Sequence, residues 1–187
     1  MTKMWKRRHR IPAQPSGFTL IEVLVVVAMI FVLFGIAAPS WLTFLNSRRV
    51  NNSRDQISQL IRLAQSEALR HRSPYSVAFV EGDPNAQVPE VVLLRGFEDP
   101  DNVTAEELGY GSYQPGMVTL ETSALPEDDG RPYLGFRSDG ALEDEMNAYL
   151  PITITVTAPT TGAKRCLVIQ TLLGASTQLA GGEPGCL

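Results

Sequence analysis

Gly17-Phe18-Thr19-Leu20-Ile21-Glu22-Val23 opens an apolar run, Val23 to Ala38, that contains no charged residue. With its flanks, Phe18 to Leu45 is a stretch of 28 residues. As a helix it would be about 42 Å long, enough to cross a bilayer with a turn or more to spare. A secretory signal peptide would have a shorter apolar core, then a small-residue cleavage site, without a carboxylate near the start of the core. A plain single-pass anchor explains everything here except Glu22. A carboxylate at the start of a membrane helix is costly unless paired, so it marks function. A cut after Gly17 would create an ammonium on Phe18, four residues before Glu22. That amine would neutralise Glu22 within one chain or pair with Glu22 of a neighbour, and both geometries fit the residues.

Charge is distributed unevenly about this run. Lys3, Lys6, Arg7, Arg8 and Arg10 precede it with no acid among them, whereas from Asn46 onward 11 basic residues face 19 acidic ones, a net of −8. A basic N-terminus, an apolar helix and an acidic remainder predict an N-terminus inside and a head outside. Cys166 and Cys186 are then an even pair in a head facing an oxidising compartment, where a disulfide is plausible. They do not form a metal-binding pattern: no CxxC occurs, and the histidines are His9 and His71.

From Asn46 to His71 the apolar residues Val50, Ile57, Ile61, Ala64 and Ala68 recur at helical spacing and form one stripe. Arg48, Arg49, Arg54, Arg62 and Arg70 fall on other faces, and Ser73-Pro74 ends the pattern. One nearly continuous helix from Phe18 to His71 is expected, its second half packed on the head. Pro39 removes a helical hydrogen bond and crowds the carbonyl of Gly35, which makes Gly35 and Pro39 a weak point of the helix or a simple kink near the membrane exit. Beyond the helix, short strands are expected at Tyr75–Val80, Val91–Phe97, Met117–Glu121, Tyr133–Arg137, Ile152–Thr157 and Cys166–Leu173, with turns at Gly82–Asn85, Ser138–Gly140 and Thr160–Gly162. Phe97–Gly116 reads as a long acidic loop. The fold class is α+β, a long helix against an antiparallel head of one or two sheets. The expected divisions are 1–17, a leader; 18–45, a transmembrane and assembly helix; and 46–187, the rest of the helix with the head.

Gly17-Phe18-Thr19-Leu20-Ile21-Glu22-Val23 ahead of a long apolar helix resembles the class III leader of type IV prepilins and type II secretion pseudopilins. The resemblance implies the pilin fold, cleavage between Gly17 and Phe18 by a prepilin peptidase, and N-methylation of Phe18. It implies that Glu22 aligns the subunit with the N-terminus of its neighbour, that other pilin or pseudopilin subunits are partners, and that the chain sits in the inner membrane with a periplasmic head before assembly. It also suggests that the Gly35–Pro39 turn unwinds in a filament, and it supports a Cys166–Cys186 bond. Arg62 to Arg70, Leu134-Gly135-Phe136-Arg137-Ser138-Asp139-Gly140, and Arg165 to Ile169 leading to Gly174 are similar to the GspH/FimT family of minor subunits. The Gly140 stretch is equally explained as a hairpin turn.

Other chemistry finds little support. No nucleophile motif, phosphate loop or HExxH occurs, so no enzyme and no cofactor are expected. The acidic runs at 98–101, 127–129 and 143–145 do not follow calcium-loop spacing. DNA binding by a pilin for natural transformation is an alternative role, but Leu172 to Leu187 contains no Lys or Arg. Phosphate contacts dominate nucleic-acid affinity, which leaves the helix arginines and Lys164-Arg165 as the remaining route. A membrane-anchored receptor that never polymerises is the third reading.

Overall fold

Thr19 starts the helix. Its hydroxyl accepts a hydrogen bond from the Glu22 N–H at 3.3 Å, and its carbonyl accepts from the N–H groups of Glu22 and Val23 at 3.1 and 3.2 Å. This is how a threonine N-cap satisfies the open donors of a first turn. In the computed structural model, which describes residues 17–96, 105–123, 125–128 and 130–186, the helix α1 accordingly runs Leu20–His71 rather than starting at Phe18. It continues without a break through Pro39. The basic leader up to Ser16, Phe97, the acidic run at 98–101 and Asp129 lie outside the described residues.

The chain divides into two units, the first ending at Ser40 and the second beginning at Trp41. In the first unit, the apolar side chains from Leu20 to Ile36 are exposed. In the second unit all five stripe residues, Val50, Ile57, Ile61, Ala64 and Ala68, are buried.

Among the described residues, nine strands form two antiparallel sheets. The first contains β1 (Tyr75–Val80), β2 (Glu90–Arg95), β3 (Ala105–Glu107), β5 (Glu127–Asp128) and β6 (Arg131–Phe136), in the order β3-β2-β1-β6-β5. The second contains β4 (Thr119–Thr122), β7 (Ile152–Ala158), β8 (Ala163–Ile169) and β9 (Ser176–Ala180), in the order β4-β7-β8-β9. A 3₁₀ turn, Asp144–Tyr149, precedes β7. The alternation in β7 shows why it lies where it does: Ile152, Ile154, Val156 and Ala158 point inward while the threonines between them do not. Phe79, Leu134 and Phe136 of the first sheet, Ile154 and Leu167 of the second, and the stripe of α1 share one apolar core.

Several strands depart from expectation. The expected strand Cys166–Leu173 begins earlier, at Ala163, and stops at Ile169. There the Gln170 N–H bonds the Ala175 carbonyl and the Gly174 N–H bonds that of Thr171, turning the chain into β9. The expected strands at 91–97, 117–121 and 133–137 are shifted by one or two residues at the ends that the structure describes. The strands β3, β5 and β9 were not expected. Each lies at or beside a sheet edge and buries little, so it carries no apolar alternation.

Candidate processing and assembly site

At the N-terminal end, the backbone brings the motif residues into one turn. Gly17 and Phe18 precede the helix, Phe18 is 82% exposed, and nothing lies within 4 Å of where a side chain at Gly17 would stand. Glu22 occupies the first turn of α1, at the positive end of the helix dipole. Thr19, which the motif reading passed over, holds this turn closed; its signal is Thr-x-x-Glu, the spacing of a capping box. The helix that follows is apolar on every side and long enough to cross a membrane. Gly35 has open space around it.

The second unit opens with a small aromatic and cationic cluster. Trp41 and Phe44 stand with ring centroids 5.9 Å apart, and the Arg48 guanidinium lies 5.0 Å above the Phe44 ring. Further along α1, polar side chains clasp the helix to the head. Asn46 donates to the Thr160 hydroxyl at 2.9 Å, and Arg165 donates to Asn51 at 2.9 Å. On another flank, buried Gln56 donates to the Glu107 carbonyl at 3.1 Å and accepts from the Gly109 N–H at 2.9 Å. Near the C-terminal end of α1, the Gln65 amide donates to the Gly140 carbonyl at 2.7 Å and to the Leu173 carbonyl at 3.0 Å. One side chain thus ties the helix to a loop from each sheet. An apolar periodicity cannot reveal such residues, because they are polar and buried only by the loops they bind.

The Gly140 loop is itself braced. Arg137 pairs with Asp139 and, at 2.8 Å, with Asp144. Hydrogen bonds from Arg137 and from the Ala141 N–H hold the Asp139 carboxyl below its ordinary range. Glu143 behaves oppositely: partial burial, and then the charge of Glu145, raise its pKa above the ordinary 4.5. The folded chain therefore holds this proton more tightly than the unfolded chain, and its contribution to stability is lost as pH rises from 4.5 through the raised value. Glu143→Gln is expected to become progressively more stable relative to the parent chain between about pH 4 and about pH 7. Urea midpoints of the full chain in detergent check this; a difference that does not change with pH would count against it.

Cys166 and Cys186 are joined by a disulfide with Cα atoms 5.5 Å apart. It fastens the turn after β9 to β8, and a loop of this size contributes about 3 kcal/mol in the chain-entropy model. His71 Nε2 lies 3.0 Å from a Glu67 carboxylate oxygen, so it serves the helix end. Among the described residues no group of three His, Cys, Asp or Glu side chains is placed to hold a metal ion. Several arginines weighed for DNA are engaged within the chain: Arg54 with Asp55, Arg49 with Asn46, and Arg165 with Asn51.

A family model described as type II transport protein GspH matches residues 53–173. A prokaryotic N-terminal methylation motif matches residues 14–38. No curated protein sequence matches the chain. Among solved structures, the chain is similar to the minor pseudopilin EpsH from the type 2 secretion system of Vibrio cholerae, at 17% identity and a TM-score of 0.45, over 72% of this chain and 99% of that one. It is also similar to the type IV minor pilin FimU of Pseudomonas aeruginosa, at 15% identity and a TM-score of 0.48, over 76% and 93%.

Proposed function

This chain belongs to the GspH family of type II transport proteins, minor pilin and pseudopilin subunits that assemble with others of their kind, and we propose that it is cut between Gly17 and Phe18, methylated on Phe18 and anchored in the inner membrane by the first half of α1. The observation that carries this reading is the contrast along one helix. The residues of α1 before Ser40 expose an apolar surface on all sides, while those after Asn46 are built into a folded head. Such a surface is stable only in lipid or against other apolar helices. The basic leader sets the N-terminus on the cytoplasmic side and the disulfide-bearing head in the periplasm.

Glu22 then has two successive partners. In the membrane, the new Phe18 ammonium neutralises it; during assembly, the ammonium of one subunit pairs with Glu22 of the next. Thr19 caps the turn that carries Glu22. Gly35 and Pro39 give the apolar half a turn that adapts to packing between helices. Mass spectrometry of membrane-extracted protein is expected to find Phe18 as a methylated N-terminus. Residues ahead of Gly17 still attached, in cells with an active prepilin peptidase, would refute the reading.

A further inference from the structure

We propose that the outer edge of β9 accepts an extended segment of a neighbouring, different subunit, which adds to the second sheet as a fifth strand; the inference rests on the reading of this chain as an assembly subunit. The hydrogen bonds flanking β9 establish which of its groups point outward. Gly181 N–H bonds the Lys164 carbonyl at 3.0 Å, and Gln170 N–H bonds the Ala175 carbonyl at 2.9 Å. In an antiparallel ladder, bonded pairs alternate with unbonded ones. With the observed register, residues 175, 177, 179 and 181 therefore turn their backbone groups to β8, and residues 176, 178 and 180 turn theirs away from it.

Each of the other sheet edges is shorter than β9 and carries acidic residues, and on two of them the chain caps an outward backbone group. On β4, the outward Thr122 N–H is taken by the Glu81 carboxylate at 3.4 Å, and the strand carries Glu121. On β3, the Glu107 carbonyl accepts from Gln56 at 3.1 Å and from the Tyr110 N–H at 3.1 Å. The strand β5 is two residues long, both acidic. Short strands, charges and capped backbone groups are the usual means of stopping an edge from pairing. The strand β9, Ser-Thr-Gln-Leu-Ala, has no charge and no proline, and its register with β8 is continuous.

Only one end of β9 is capped. Ala180 N–H donates to a Glu183 carboxylate oxygen at 2.7 Å, and the Ala180 carbonyl accepts from the Glu183 N–H at 3.2 Å. The disulfide holds that turn in place. Among the described residues, no group of the chain bonds the outward N–H and C=O of Ser176 and Gln178. These four groups demand an extended backbone, which is the chemistry of strand addition. Gln178 also reaches α1, its amide 3.4 Å from Asp55. A partner side chain standing beside Gln178 on that face meets the half-exposed Asp55 carboxylate, which favours a lysine, arginine or amide there.

A second copy of this chain is the wrong occupant. Two β9 edges paired antiparallel are related by a twofold axis perpendicular to the sheet, and that axis reverses any helix lying on the sheet. Two chains anchored in one membrane by their N-terminal helices cannot adopt that arrangement. Paired parallel about a twofold, identical residues would face each other, out of step with the staggered bonds that parallel strands need.

The test uses the full chain in cells that assemble its filament. A photocrosslinking phenylalanine at Gln178 is expected to capture another subunit, and one at Glu121 on the short, charged β4 edge is not. Gln178→Pro removes an outward N–H along with the side chain and is expected to lower co-purification of that subunit at least tenfold, while Gln178→Ala, which removes the side chain alone, stays within twofold of the parent. Disulfide formation and Phe18 processing in both variants show that each is folded and inserted. Equal co-purification by the two variants would overturn the proposal. So would capture of a second copy of this chain, or no capture from position 178 while the chain is present in sheared filaments; the assembly reading survives both. A chain that is never processed or incorporated, and gives no crosslink, would overturn both.

Discussion

Glu22→Ala is expected to reduce the amount of this subunit in sheared filaments at least tenfold, while cleavage after Gly17 and the fold of the head stay intact. Gly17 and Phe18, the proposed place of the cut, precede the helix in an exposed segment. Assembly is different, because in the proposed reading it moves the Phe18 ammonium into an apolar setting among helices. Breaking a buried ion pair leaves one charge uncompensated, at a cost of about 3–5 kcal/mol. A tenfold change needs only about 1.4 kcal/mol, so the effect survives considerable solvent access. Glu22→Gln separates charge from shape, since it retains the size of the side chain and the backbone bond to Thr19. It is expected to fail as alanine does. Normal incorporation of either variant, quantified in sheared material, would show that the pairing is dispensable.

Gly140→Val is expected to destabilise the head by about 2–3 kcal/mol, from two sources of similar size. Gly140 has φ +77°, a conformation that costs a side-chain-bearing residue about 1–2 kcal/mol. A Cβ here would also stand 2.7 Å from Cγ of the half-exposed Leu69, and displacing that side chain costs about 1 kcal/mol more. The displaced loop carries the carbonyl that Gln65 binds, so the joint between α1 and both sheets loosens with it. Gly162→Val provides the comparison. Its φ is +67°, but nothing lies within 4 Å of the added Cβ, so only the backbone cost applies. Urea midpoints of the two variants in detergent should therefore differ, Gly140→Val unfolding first. Equal losses would mean that Leu69 moves aside freely.

The parts of the fold that depend on burying apolar side chains were readable in the residues. Val50, Ile57, Ile61, Ala64 and Ala68 are buried as their spacing requires, β1 has the expected bounds, and the threonine alternation of β7 marks its two faces. The motif before the apolar run was equally plain, because charge, glycine and carboxylate coincide there. What escaped notice is held by polar groups. Gln56 and Gln65 look like surface residues of an amphipathic helix until loops distant in sequence fold over them. The strand β9 exposes most of its side chains, so its ladder with β8, which the disulfide fastens at one end, leaves no pattern in the sequence. Its glycine-rich continuation is folded into a turn by Glu183 and Cys186.

The Trp41–Phe44 contact has a spectroscopic consequence. The sequence holds two tryptophans, Trp5 and Trp41. The proposed removal of the leader would take Trp5 with it, leaving the emission of the processed chain to a single indole. That indole is 64% exposed and lies outside the apolar core. Tryptophan fluorescence is therefore a poor witness of head unfolding, which changes little around Trp41, and ellipticity from the buried Tyr133 is the better one. The same indole is well placed to shift to the blue when lipid or a neighbouring helix covers it, as the amphipathic rings of membrane-interface tryptophans are. One fluorophore thus follows insertion and assembly while staying nearly blind to the state of the head.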